Sequence, residues 1–169
     1  MLISVLIPCY NEKNTIEEIV DRINKLTNLD TEIIIIDDCS DDGTKEILKG
    51  KIKDKVSKVI FNDTNHGKGY SLKQGIAAAN GEIVLIQDAD LEYNPKEYYK
   101  LTKPIIDGNA EVVYGSRFIG GDEKRILFFW HTVANKILTL LSNMFTNLNL
   151  TDMETCYKVF TKEIINKVD

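Results

Sequence analysis

Three carboxylates follow a short apolar run in the middle of the chain. Residues 83–86 are four consecutive aliphatic residues, which is typical of a strand buried on both faces. Asp88, Asp90 and Glu92 follow it and alternate in sequence, so an extended backbone would aim all three to one side. Hard carboxylate oxygens there suit Mg²⁺ or Mn²⁺, shared with substrate phosphates. An isolated Asp-x-Asp more often belongs to a solvated loop, so the rest of the chain decides.

Apolar segments alternate with helical patterns along the first two thirds of the chain. The predicted strands are residues 2–7, 32–36, 55–61, 83–86 and 111–114. Strands that alternate with helices imply right-handed crossovers and a mostly parallel sheet with helices on both faces. We therefore predict one α/β domain over residues 1–169.

Polar residues follow every predicted strand. They are Asn11 and Glu12, then Asp37 and Asp38, then residues 65–68, then Asp88 and Asp90, then Ser116 and Arg117. In an open parallel sheet, ligands bind outside the carboxyl ends of the strands. Connecting loops would not need such side chains at five successive ends, so the sequence predicts a binding site at this edge.

Composition excludes several other classes of protein. The 169 residues are 43% hydrophobic, enough for one domain with a core. A net charge of −5 without a basic patch argues against nucleic-acid binding. Cys9, Cys39 and Cys156 lack metal-type spacing and favour free thiols in a reducing cytoplasm. No apolar run approaches the length of a membrane span.

Two other features have alternative interpretations. The turn Gly67-Lys68-Gly69 matches neither a P-loop nor a dinucleotide fingerprint, but it would let backbone approach a ligand. Arg117 offers a planar fork of donors for phosphate, and a surface ion pair is an equally good explanation. His66 and His131 are single and far apart, which argues against a histidine metal site.

One long amphipathic helix, or two with a kink, is predicted over residues 125–148. We expect its apolar face to pack on the sheet, as such faces usually do. The alternative is contact of Phe128, Phe129 and Trp130 with lipid or a partner.

Taken together, the motifs resemble the family-2 glycosyltransferases, in particular polyprenyl-phosphate sugar synthases of the dolichyl-phosphate mannosyltransferase type. The segments that carry the resemblance are residues 8–12 (PCYNE), 37–44 (DDCSDDGT), 65–69 (NHGKG), 88–90 (DAD) and 115–118 (GSRF), in that order. The likeness runs from Ser4 to about Phe160. It implies a Rossmann-like GT-A fold and an inverting transfer from a nucleotide-diphosphate sugar, with Mg²⁺ or Mn²⁺ as cofactor.

The resemblance also implies roles for residues on the donor side, residues 1–117. Pro8, Tyr10 and Glu12 would surround the nucleotide, and Asp37 and Asp38 would lie near base and ribose. Asp88 and Asp90, with Ala89 between them, would form the metal pair under the diphosphate, and Glu92 is a third candidate ligand. Lys68 and Lys158 complete the predicted donor-binding set.

The acceptor side is expected in residues 118–169. Residues 152–158 (DMETCYK) resemble the family's Asp-x-Thr-Ser-Gly-Phe-Arg segment; Asp152 and Lys158 match it, whereas Glu154 and Cys156 depart from it. Arg117 would stabilise charge on the departing diphosphate or face the acceptor. A hydroxyl acceptor needs a base, for which Asp152 and Glu154 are candidates. An ionised lipid phosphate needs positioning instead.

Other functions stay open at this point. The acceptor could be a glycan hydroxyl in place of a polyprenyl phosphate. The chain ends at Asp169, whereas the enzymes it resembles usually continue, so a C-terminally truncated, catalytically silent donor-binding fragment is a second possibility. A nucleotidyltransferase is a distant third, because no glycine-rich loop follows the first strand. Peripheral contact with the cytoplasmic face of a membrane and an oligomer are both compatible with the sequence.

Overall fold

The computed structural model of the protein describes residues 1–118 and 129–168. The strands are β1 (Leu2–Cys9), β2 (Asp30–Asp37), β3 (Lys58–Phe61), β4 (Ile83–Ile86), β5 (Val112–Tyr114) and β6 (Lys158–Thr161). The helices are α1 (Ile16–Asn24), α2 (Thr44–Lys49), α3 (Lys68–Ala78), α4 (Tyr98–Ile106), α5 (Phe129–Thr146) and α6 (Lys162–Ile165). Short 3₁₀ turns occupy Lys53–Lys55 and Pro95–Glu97.

The strands form one sheet in the order β3-β2-β1-β4-β6-β5. β1 lies inside the sheet and pairs in parallel with β2 and β4, and β2 pairs in parallel with β3. β6 is antiparallel to both β4 and β5. The prediction of a mostly parallel α/β sheet is therefore confirmed.

The apolar runs of β1 and β2 are buried on both faces of the sheet. Alternate residues belong to two separate cores, as the two-residue period of a strand requires. Val5 and Ile7 pack in the core that includes α1, whereas Leu6 and Ile34 pack in the core on the other face. Helices on both faces, as predicted, explain why these strands are continuously hydrophobic.

Two elements differ from the sequence prediction in ways that affect the site. β6 was not predicted, and it inserts residues 158–161 from the expected acceptor side between β4 and β5. α3 begins at Lys68, so the turn Gly67-Lys68-Gly69 forms the start of a helix.

The expectation that the long helix packs on the sheet is wrong. In α5 the side chains of Trp130, Leu140 and Phe145 are 76%, 60% and 87% exposed, and Thr139 is the buried residue of the helix. The predicted residues Arg125 and Phe128 lie outside the part of the chain that the structure describes. Among the helices that are described, none is long and apolar enough to cross a membrane.

A polar cluster around Glu32 holds the amino-terminal edge of the sheet together. Its carboxylate accepts hydrogen bonds from the Ser4 hydroxyl, from the backbone and side-chain nitrogens of Asn80, and from Gly81 N at 3.1 Å. Burial would raise the pKa of Glu32, but these hydrogen bonds outweigh burial and lower it. The ionised carboxylate thus joins β1, β2 and the turn before β4.

Gly81 has no room for a side chain at this cluster, and replacing it by alanine should destabilise the protein. A Cβ atom there would lie 2.6 Å from Leu2 O and 2.7 Å from Ser4 N. Because both are backbone atoms, we expect Gly81→Ala to lower the free energy of unfolding by about 2 kcal/mol. Urea denaturation measures this. Gly69→Ala is the control, since a Cβ there meets nothing within 4 Å; an equal loss in both variants would contradict the packing argument.

Candidate functional site

A cleft of about 390 Å³ opens at the carboxyl edge of the parallel strands. The lining residues are Pro8, Cys9, Tyr10, Glu12, Asp38, Asn65, Gly67, Lys68, Ser71, Asp88, Ala89 and Asp90. They come from the ends of β1, β2, β3 and β4 and from the first turn of α3. The structure thus brings together eight of the ten residues predicted to bind the donor.

The loops that form the cleft are conformationally strained. Asn11, Cys39 and Leu91, which follow β1, β2 and β4, have φ angles of 58°, 65° and 63°. Non-glycine residues rarely adopt this left-handed conformation, and it tends to persist at functional sites. Two hydrogen bonds join the first two loops: Asn11 N donates to Ser40 Oγ at 2.9 Å, and Asp41 N donates to Asn11 Oδ1 at 3.0 Å.

Asp38 is the carboxylate that holds the third loop in place. It accepts hydrogen bonds from Asn62 Nδ2 at 2.6 Å, from His66 N at 3.1 Å and from Gly67 N at 2.6 Å. Burial would raise the pKa of Asp38, but these donors lower it, so the group is an anion at neutral pH. Only a small part of Asp38 faces the cleft, since the residue is 3% exposed.

Asp37, which was predicted to lie near base and ribose, does not line the cleft. It is the last residue of β2, it is fully buried, and it is absent from the cleft lining. Its Oδ2 accepts a hydrogen bond from Ser40 N at 3.3 Å. Asp37 therefore stabilises the loop after β2 through its hydrogen bond with Ser40. Asp38 is the carboxylate of this pair that lines the cleft and that a ligand can reach.

Asp88 and Asp90 lie on the floor of the cleft beside Lys68. Lys68 Nζ donates to Asp88 Oδ1 at 2.5 Å. Burial raises the pKa of Asp90, and the nearby charges of Glu92 and Asp88 raise it further. A cation would relieve this repulsion. Two carboxylates fit Mg²⁺ or Mn²⁺, because these ions bind proteins through one or two carboxylates and take further oxygens from phosphate.

The expectation that three carboxylates point to one side is wrong. The chain turns after Asp90, where Leu91 has positive φ and Glu92 N donates back to Asp90 Oδ1 at 3.0 Å. Glu92 does not line the cleft. Within residues 1–118 and 129–168, no three His, Cys, Asp or Glu side chains are grouped to hold a metal ion.

Arg117 and Asp152 form a two-pronged ion pair outside this lining. Arg117 Nε and Nη2 each donate to the Asp152 carboxylate at 2.8 Å, and Arg117 N donates at 3.0 Å. The Asp152 side chain is fully buried and that of Arg117 is 26% exposed. Burial would raise the pKa of Asp152, but the hydrogen bonds and charge of Arg117 lower it. Such a carboxylate is a weak proton acceptor. The exposed Glu154 donates a backbone hydrogen bond to Asp152, and its charge contributes to the raised pKa of Arg117.

The sequence matches the family model described as Glycosyl transferase family 2 over residues 4–169. The chain belongs to glycosyl transferase family 2. Among curated relatives it is 33% identical to a dolichol-phosphate mannosyltransferase of Pyrococcus furiosus, over 80% of this chain and 39% of that protein. It is 26% identical to an undecaprenyl-phosphate 4-deoxy-4-formamido-L-arabinose transferase of Aeromonas hydrophila, over 98% of this chain and 50% of that protein. The chain thus spans half or less of the length of these two family-2 relatives.

Solved structures show the GT-A fold of the family. Glucosyl-3-phosphoglycerate synthase from Mycobacterium tuberculosis, in complex with Mn²⁺, UDP and glucosyl-3-phosphoglycerate, has a TM-score of 0.71 at 24% identity, over 96% of this chain and 57% of that one. TarS 1–349 of S. aureus, in complex with UDP-GlcNAc, has a TM-score of 0.66 at 22% identity, over 99% and 47%. At these identities the likeness establishes the fold, which agrees with the fold predicted from the sequence.

One predicted residue lies outside the cleft, and two residues without a predicted role line it. Lys158 lies at the start of β6 with its Nζ 5.4 Å from the centre of the Tyr114 ring, and it is not part of the cleft lining. Cys9 and Ser71 line the cleft, although neither was a predicted site residue. Ser71 lies in the first turn of α3, and the start of this helix at Lys68 brings it to the cleft.

Loss of the Asp152 carboxylate should destabilise this family-2 domain. Removing one partner of a buried ion pair leaves the other uncompensated, so we expect Asp152→Ala to lower the free energy of unfolding by about 3 kcal/mol at pH 7. Asp107→Ala is the control, because its pair with Lys103 is exposed and should contribute less than about 1 kcal/mol.

The pH dependence gives the same pair a second test. Because the folded pKa of Asp152 is lowered, the pair stabilises the protein above the ordinary aspartate pKa of about 4. That stabilisation is lost as the pH falls through the folded value. The gap in stability between wild type and Asp152→Ala should therefore narrow below pH 4; a gap that is constant down to pH 2 would contradict this assignment.

Proposed function

We propose that the chain transfers a sugar from a nucleotide-diphosphate sugar, with inversion, to a polyprenyl phosphate. The observation that carries this proposal is the cleft at the carboxyl edge of the sheet, where Asp88, Asp90 and Lys68 meet Tyr10 and Asp38. An aromatic ring and a carboxylate suit a nucleoside, and a lysine beside paired carboxylates suits a cation and a diphosphate.

The donor would lie across the cleft. Tyr10, 48% exposed at the first loop, offers a face for the base, and Asp38 offers an anionic acceptor for base or ribose donors. Asp88 and Asp90 would hold Mg²⁺ or Mn²⁺, which supplies Lewis-acid stabilisation of the charge that develops on the leaving diphosphate. Lys68 would exchange its bond to Asp88 for one to a phosphate oxygen.

The acceptor side would lie around Arg117. Asp152 fixes the guanidinium from its buried side, which leaves the exposed part of Arg117 to attract an anionic acceptor or a phosphate of the donor. A polyprenyl phosphate is ionised near neutral pH and attacks without a general base. If the acceptor is a glycan hydroxyl, Glu154 is the better base candidate, because Asp152 is committed to Arg117.

Two further observations support a lipid acceptor. The relatives from P. furiosus and A. hydrophila are named for transfer involving dolichol phosphate and undecaprenyl phosphate. In this chain, α5 exposes a row of apolar side chains, which include Trp130, Ile137, Leu141 and Met144. An exposed apolar helix face of this kind suits the interface of a lipid bilayer.

Donor binding should depend on a divalent cation and on Asp90. Replacing this carboxylate by an amide removes one of two anionic ligands, so in Asp90→Asn we expect the affinity for UDP in the presence of Mn²⁺ to fall about tenfold or more. Isothermal titration calorimetry, with and without Mn²⁺, measures the change. Asp54→Asn, an exposed residue of the 3₁₀ turn before β3, is the control. Equal UDP affinity in Asp90→Asn and wild type, in both conditions, would refute the cation site.

Membrane contact should depend on the apolar face of α5. Trp130 is 76% exposed, so its removal should leave the thermal midpoint of unfolding within about 1 °C while it costs on the order of 2 kcal/mol of membrane burial. Flotation with vesicles that contain polyprenyl phosphate measures recruitment, which should fall about tenfold or more in Trp130→Ala.

Tyr99→Ala provides the matched control for this experiment. It removes an aromatic side chain that is 50% exposed on α4 rather than α5. If both variants lose recruitment equally, α5 is not the membrane face. If Trp130→Ala instead loses thermal stability and keeps its recruitment, the lipid interpretation of this helix fails.

A further inference from the structure

A buried hydrogen-bonded cluster lies directly beneath the carboxylates of the cleft. It consists of Gln87, Tyr98 and Tyr157, which are 0%, 0% and 2% exposed. The hydroxyls of Tyr98 and Tyr157 both donate to Gln87 Oε1, at 2.8 Å and 3.1 Å. Gln87 Nε2 donates in turn to the backbone carbonyl of Asp88 at 2.8 Å.

The cluster lies at the point where the chain leaves the sheet. β4 ends at Ile86, and Gln87 N donates to Leu6 O at 3.0 Å, which extends the ladder to β1 by one residue. Beyond it the chain turns through Leu91 in a left-handed conformation. The Gln87 side chain therefore fixes the first peptide of the segment that carries Asp88 and Asp90.

Tyr157 connects this point to the acceptor side. The backbone carbonyl of Tyr157 accepts a hydrogen bond from Gly115 N at 2.8 Å. The two residues are in close contact, because a Cβ atom added to Gly115 would lie 2.9 Å from the Cβ of Tyr157. Gly115 begins the turn that presents Arg117.

Packing alone does not account for these polar groups. Apolar side chains of similar shape would fill the same volume without the desolvation of two hydroxyls and an amide. Burial raises the pKa of both Tyr98 and Tyr157, which favours the protonated hydroxyls that donate to Gln87. What the polar cluster adds is a fixed orientation for Gln87.

We propose that Gln87, oriented by the hydroxyls of Tyr98 and Tyr157, is a positioning residue that holds Asp88 and Asp90 in the geometry that binds a divalent cation with a nucleoside diphosphate. The claim that Asp88 and Asp90 bind a divalent cation rests on the proposed function. Residues that orient metal ligands without touching the metal commonly change its affinity by 10- to 100-fold when they are replaced.

The test uses a variant that removes the whole cluster at once. Gln87→Met, Tyr98→Phe and Tyr157→Phe together take away both hydroxyl donors and their acceptor and keep the shapes. The backbone carbonyl of Asp88, a half-buried residue, is the group of the cluster that loses a donor, so the fold should survive. Tyr99→Phe, a tyrosine on α4 that is 50% exposed, is the control.

Two measurements are made on each protein. Calorimetry should show UDP binding with Mn²⁺ weakened about tenfold in the triple variant, and UDP binding without metal unchanged. Hydrogen exchange should be faster at residues 88–92 and unchanged in β1. Unaltered exchange at 88–92, or unaltered Mn²⁺-dependent binding in a folded triple variant, would overturn the proposal.

The two measurements also separate this proposal from the function on which it rests. A wild-type protein that binds no UDP with Mn²⁺ would refute the proposed function and the cation part of the inference. The exchange comparison would then decide by itself whether the cluster holds the 88–92 segment. A triple variant that unfolds is replaced by Tyr157→Phe alone, with the same two measurements and the same criteria.

Discussion

Parallel pairing of β1 with β2 and β4 is the constraint on which the rest of the molecule depends. It places Cys9 beside Asp37 and Leu6 beside Ile86, so the segments that follow these strands emerge at one edge. Residues as far apart in sequence as Pro8 and Asp90 thereby form a single cleft. The continuous burial of these strands on both faces maintains the pairing, because a slip by one residue would exchange the two cores.

This convergence crowds negative charge, and the structure compensates each carboxylate differently. Asp38 is held by an amide and two backbone N–H groups, and Asp88 by the ammonium of Lys68. Asp152 is held by the fork of Arg117. Asp90 is the carboxylate of the cleft floor with a raised pKa, which burial and the charges of Glu92 and Asp88 cause.

The sequence predicted the features that depend on local pattern. Aliphatic runs located five strands, and polar residues after those strands located the cleft. It could not predict features set by distant contacts: Tyr157 meets Gln87 across 70 positions, and β6 is four residues long. The Glu92 prediction failed because it assumed an extended chain where Leu91 turns. The amphipathic pattern predicted that α5 has an apolar face. It could not show that this face is exposed instead of packed on the sheet.

The most direct test of the proposed donor site is a crystal structure of the chain, determined from crystals grown with UDP and Mn²⁺. We expect the ion to bind the carboxylates of Asp88 and Asp90. The diphosphate should lie beside Lys68, and the uracil should lie between Tyr10 and Asp38. The Lys68–Asp88 bond should be broken in that structure. A nucleotide bound at any other surface, or a diphosphate in the cleft with Mn²⁺ away from both carboxylates, would contradict it.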